Sequence, residues 1–134
     1  MQQSIVDRLS GITEEEHEIL RGRKSVDRSL YMDGSRDVIS GEKLLEKGKL
    51  IAIRPHTRFI AFPEHSHDYV EMVYMCSGST SHVVNGRPVA LEQGELLMLG
   101  QNARQSIEPA GEQDIAVNFI VRPAFFSGTL PYLG

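Results

Sequence analysis

The pair Asn85-Gly86 constrains this chain more than any other two residues. Both tolerate positive φ, as a two-residue type I′ hairpin turn demands, and they lie between Val84 and Arg87. A hairpin there makes its flanks antiparallel strands, and the pattern around it repeats. From residue 50 onward, short apolar runs fall at 50–53, 59–62, 69–76, 82–84, 88–91, 96–99 and 115–121. Turn-forming residues separate them: Pro55, Pro63, Ser77-Gly78, Gln93-Gly94, Gly100 with Asn102, and Pro109 with Gly111. Seven short strands at this spacing predict a β-sandwich or barrel. Pro88 cannot donate to a ladder, which places its run at a sheet edge.

The first 49 residues read differently, as a helical arm. Residues 3–9 have the pattern of a short helix. Thr13 followed by Glu14, Glu15 and Glu16 is a helix start, with a capping hydroxyl, acids in the first turn and Glu16 at the capping-box position. Gly22 ends that helix. Residues 40–48 predict another short helix, and the polar stretch 31–39 a loop. The division expected is a helical arm over 1–49 and a barrel over 50–134, with a helical start near Pro123 after its last strand.

Size and charge limit the function. A chain of 134 residues is one domain, large enough for a core without staples. Its net charge is -4, and neither part is basic: residues 1–50 carry 9 Lys or Arg against 10 Asp or Glu, and 51–134 carry 5 against 8. Nucleic-acid binding needs a concentrated positive face. The cluster of Arg21, Arg23, Lys24 and Arg28 reads as a solvated surface flanked by acids. Cys76 is the single cysteine and sits in an apolar run, so it predicts a buried free thiol. No run has the ~20 apolar residues of a membrane span. The first residues lack the pattern of a signal peptide, and the expected compartment is the cytoplasm. Neither a Gly-x-Ser-x-Gly elbow nor a phosphate-binding glycine loop is present.

The informative cluster is PEHSHDYVEMVYMCSG, from Pro63 to Gly78. On one extended strand His65, His67, Tyr69 and Glu71 share a face. Two imidazoles and a carboxylate are three of the ligands that a first-row metal accepts. They equally make a polar patch inside a barrel, suited to a small polar ligand. Burying three such groups costs several kcal/mol unless each is paired, which argues against a purely structural role. Asn118, an amide inside an apolar run, either faces the cavity or pairs with backbone at an edge. His82 reads as a surface or cross-strand residue, and His56 and Arg58 as loop residues near the cavity mouth.

His-x-His, three residues, Glu, six residues, Gly resembles the first motif of the cupins. The leading Gly of that motif falls at Phe59 here. The second motif is degraded: after Gly94 its Pro falls at Gly100, its His at Gln105 and its Asn at Pro109. In order and spacing, the stretch from about His56 to Phe126 resembles the N-terminal sensing domain of AraC-type bacterial regulators. The resemblance implies a mainly β, cupin-type barrel preceded by short helices. It implies an effector domain that helps to form a homodimer, while DNA is contacted by helix-turn-helix motifs that this chain does not contain. The candidate ligand contacts are His65, His67, Glu71, Gln105, Tyr69 and Asn118, and the expected ligand is a small polar metabolite, a sugar among the options. No cofactor and no enzyme activity are expected. The alternative is a metal-dependent cupin enzyme, a dioxygenase or isomerase, with His65, His67 and Glu71 as ligands. Gln105 weighs against it, because a carboxamide is a poor zinc or nickel ligand beside imidazole.

Overall fold

The structure is a computed structural model and describes residues 9–23, 25–32 and 38–127. Two sheets face each other. One has five strands, in the order β1 (Val38–Ile39), β3 (Phe62–His67), β8 (Gln105–Ile107), β5 (Ser79–Val84) and β6 (Arg87–Glu92). The other has four, in the order β2 (Ile51–Pro55), β9 (Ile115–Val121), β4 (Val70–Ser77) and β7 (Leu96–Leu99). Short helices α1 (Glu14–Leu20), α2 (Gly41–Leu44) and α3 (Pro123–Ser127) flank the strands.

The hairpin forms as its turn residues require. Asn85 has φ 49° and Gly86 φ 82°, and β5 pairs with β6 down to Val84 opposite Arg87. β6, with Pro88, is the edge strand. Thr13 caps α1: its hydroxyl accepts from the Glu16 N–H at 3.1 Å, and Glu16 accepts back from the Thr13 N–H at 3.0 Å.

Several expectations need correction. The run 59–62 is not a strand; β3 starts at Phe62. The run 69–76 does not continue the strand of the histidines. The chain breaks at Asp68 and Tyr69, then restarts as β4 in the other sheet. Two short strands, β1 and β8, lie in stretches read as loop; at two and three residues, neither has enough alternation to be seen. The helix expected over 40–48 spans only Gly41–Leu44. The helix expected over 3–9 lies, but for Leu9, outside the described residues.

Three apolar clusters hold the layers together. Tyr31, Met32 and Ile39 from the N-terminal segment join Ile60, Phe62, Ile107 and Ile120 at one end of the sheets. Val73, Met75, Leu91 and Ala116 fill the other end, with Met75 fully buried. Leu9 packs over Cys76, Ile115 and Val117. Cys76 is a buried free cysteine, and burial pushes its thiol pKa up.

Phe59 occupies the place where the cupin motif carries glycine, and its φ is +76°. That is the left-handed region, which strains a bulky side chain by about 1–2 kcal/mol. The Arg58 guanidinium over the ring, 5.1 Å from its centre, helps to hold it there. Gly78 is a second demanding position, at φ +71°. A Cβ there would collide with Asp114 Oδ1 and come within 2.8 Å of the Gln113 carbonyl oxygen. Gly78→Ala therefore lowers stability by about 2–3 kcal/mol, from left-handed strain and overpacking together. Urea unfolding measures it, and a loss under about 0.5 kcal/mol would show that the turn opens freely.

Candidate functional site

The site lies where the chain changes sheets. His65 and His67 are on β3, and Glu71 is on β4, so they face each other across the interior instead of sharing one strand. β3 pairs with β8, His65 opposite Gln105 and Phe62 opposite Ile107, with a bulge between the two pairs. The bulge lets Phe62 and His65, at odd spacing, both turn inward. A polar run thus supplies a buried amide: Gln105 is 1% exposed.

A chain of hydrogen bonds crosses the interior. Thr80 Oγ1 lies 2.7 Å from His82 Nε2, and His82 Nδ1 lies 3.2 Å from Gln105 Oε1. Gln105 Nε2 donates to Glu71 Oε2 at 3.1 Å. The amide oxygen only accepts, so His82 carries its proton on Nδ1 and takes the Thr80 hydroxyl proton on Nε2. His82, expected near the surface, is 3% exposed. Nothing near it in sequence reports this, because its partner Gln105 comes from the unrecognised strand β8.

His67 serves Glu71. Its ring stacks on Tyr69 at 4.7 Å, and its Nδ1 lies 3.2 Å from the Tyr69 carbonyl oxygen. Its Nε2 lies 2.8 Å from Glu71 Oε2 and makes no hydrogen bond. His65 is anchored differently: Nδ1 donates to the Pro63 carbonyl at 2.7 Å, leaving Nε2 as a bare lone pair.

One cavity collects most of these groups. His65, Tyr69, Glu71, Gln105 and Asn118 line it, while His67 does not. Asn118 thus faces the interior, with its Oδ1 buried and unpaired. His56 is a lining residue that sequence reasoning left in a loop; it is 5% exposed, and its Nε2 has no partner. Arg54 reaches the same space from β2, and Tyr31, Ile39 and Leu44 close it from the N-terminal segment. The cavity offers about 40 Å³ to water centres.

Burial dominates the electrostatics. It pushes His56 down to about 4, with the neighbouring His82 adding to the shift. It lowers His65 and His82 as well, against the pull of Glu71. It raises Tyr69, helped by Glu71 and Asp68. The imidazoles of His56, His65 and His82 are therefore neutral near pH 7.

Glu71 accepts from Gln105, which turns an N–H, not a lone pair, toward it. Among the described residues no three His, Cys, Asp or Glu side chains converge on one point.

Fold and site together define a cupin-type binding barrel with a polar interior. The AraC-like ligand binding domain model matches residues 47–124, and the chain belongs to that family. It is similar to the HTH-type transcriptional activator RhaS of Pectobacterium carotovorum subsp. carotovorum, 40% identical over 58 residues, which cover 43% of this chain and 21% of that protein. RhaS of Enterobacter sp. is 36% identical over 58 residues, with the same coverage of 43% and 21%. The match thus spans about a fifth of the length of these relatives. Among solved structures, a cupin superfamily protein from Desulfitobacterium hafniense aligns at 11% identity and TM-score 0.49, covering 59% of this chain and 73% of that one. A cupin protein from Bacteroides fragilis aligns at 22% identity and TM-score 0.42, covering 55% and 64%. No described helix is long and apolar enough to cross a membrane.

Proposed function

We propose that this chain is the effector-sensing domain of an AraC-type transcription regulator, and that it senses a small polar metabolite held in the cavity. One observation carries the reading. His56 Nε2 and Asn118 Oδ1 are buried there without protein partners, in a space that the N-terminal segment closes. An unpaired buried polar atom costs about 1–3 kcal/mol, which a ligand hydrogen bond recovers. Tyr31, Ile39 and Leu44 rest on the same space, so a ligand that favours one placement of this segment shifts its population. The rest of the regulator, acting as a homodimer in the cytoplasm, converts that shift into DNA binding. The role is binding: the polar groups hold one another, and the Thr80 hydroxyl that meets His82 Nε2 is not among the residues lining the cavity.

The test is a thermal-shift screen of the chain with neutral sugars, polyols, amino acids and small acids. At about 100 times its dissociation constant a ligand adds about 2.7 kcal/mol, or about 10 °C in Tm for a domain of this size. His65→Ala and Asn118→Ala should each reduce that rise. A screen in which nothing stabilises the chain, or a rise that both variants leave intact, would remove the cavity as the sensing site.

A further inference from the structure

The geometry points to a hydroxycarboxylic acid as the effector, its carboxylate held by Arg54 at the cavity mouth and its hydroxyl by the histidine wall; this rests on the sensing role proposed above and narrows it to a ligand class. Arg54 is half-buried on β2 and lines the cavity. Its guanidinium stacks over the Tyr31 ring, 5.7 Å from the centre. It makes no ion pair or hydrogen bond among the described residues. Glu15 and Glu71, which line spaces beside Arg54, are engaged by other groups. Glu15 accepts from the Tyr31 hydroxyl at 2.6 and 2.7 Å and from Thr57 at 3.0 Å. Glu71 accepts from the Gln105 amide at 3.1 Å. A guanidinium fork pre-set by an aromatic ring and left without an anion matches a carboxylate in geometry and charge.

The other end of the ligand follows from the lone pairs. His65 Nε2 is an acceptor, because Nδ1 donates to the Pro63 carbonyl. Glu71 is an acceptor as well, so this wall calls for a donor such as a hydroxyl. Asn118 pairs with Arg54 across β2 and β9, which puts its unpaired amide beside the guanidinium. A ligand with its carboxylate on Arg54 thus presents the neighbouring carbon, and the oxygen on it, to Asn118 and His65. The space open to water centres is about 40 Å³. That is a small space, and it suits a short acid.

Calorimetry and thermal shift with glycolate, lactate, glycerate and malate, each beside its neutral amide, test the assignment, with 1,2-propanediol and glycerol as uncharged polyols. The expected result is that at least one acid binds, that its amide binds at least 10-fold more weakly, and that Arg54→Gln weakens the acid by about 10- to 100-fold. Arg54→Lys, which keeps charge but loses the fork, falls between. Unliganded melting of both variants checks that they fold. Binding of the neutral compounds alone, or an acid affinity unchanged in Arg54→Gln, would overturn the hydroxy-acid assignment while leaving the sensing role in place. Silence from acids and neutral compounds alike, in this set and in the wider screen, would overturn both.

Discussion

Arg58→Met lowers the stability of this domain by about 3–5 kcal/mol, because it leaves a buried carboxylate without its counter-charge. Arg58 and Glu16 are each 2% exposed. The guanidinium donates to both carboxylate oxygens, Nε to Oε2 at 2.9 Å and NH2 to Oε1 at 3.0 Å. It also donates to the carbonyls of Ser10, Gly11 and Glu112, at 3.1, 3.2 and 2.9 Å. The Arg58 backbone N–H adds a bond to Glu16 Oε2 at 2.7 Å. One side chain thus fastens the start of α1 to the loop before β9. Burial alone would raise the Glu16 carboxyl, but Arg58 and the backbone N–H bonds outweigh it and hold it below its usual value. The expected fall in Tm is about 10–20 °C for a domain of this size. Glu16→Gln keeps the capping box and removes the charge, so the double variant should be more stable than Arg58→Met alone. If Arg58→Met costs less than about 1 kcal/mol in urea unfolding, or if Glu16→Gln recovers nothing, the pair is not the clasp described.

How much of this was legible in the sequence depends on the range of the interaction. Local signals read correctly: Asn85-Gly86 made its hairpin, Thr13 and Glu16 their capping box, and Pro88 fell on an edge strand. The second role of Glu16 was hidden because its partner Arg58 is 42 residues away. The spacing of His65, His67 and Glu71 suggested one strand, since periodicity cannot see a change of sheet at Asp68 and Tyr69. The structure still brings His65 and Glu71 to one cavity, though from opposite sheets, and it withdraws His67 behind Glu71. Gln105 was noticed only through the family pattern, and its strand of three residues carries no signal of its own. Arg54 and His56, which complete the cavity, follow a run whose outward residues Ile51 and Ile53 are apolar and exposed, so alternation there gave no inward face. Glycine's place in the cupin motif was readable at Phe59, and the positive φ there shows why the motif prefers glycine.

Acidification from pH 7 to pH 5 should cost this domain at least about 2 kcal/mol, and His56 is the main reason. Its folded value is about 4 against an ordinary 6.5, because burial disfavours the charged ring. The unfolded chain therefore takes a proton on His56 below pH 6.5, while the folded chain takes none until about pH 4. Stability from this group is complete above 6.5 and is lost as pH falls toward 4, at about 1.4 kcal/mol per unit and about 3 kcal/mol in all. His65 and His82 are shifted in the same direction and steepen the loss. Glu16, held below its ordinary 4.5, protects the fold above that pH and loses its contribution only below it, so the window from 7 to 5 isolates the histidines. Urea unfolding at the two pH values measures the effect, and His56→Gln should lose about 2 kcal/mol less than the unaltered chain over that interval. Equal losses in the two proteins would mean that His56 is reached by water in the folded state. The consequence reaches the cavity itself: with His56, His65 and His82 all neutral near pH 7, Arg54 is the positive charge that an anionic ligand meets there, opposite in sign to the Glu71 carboxylate that lines the same space.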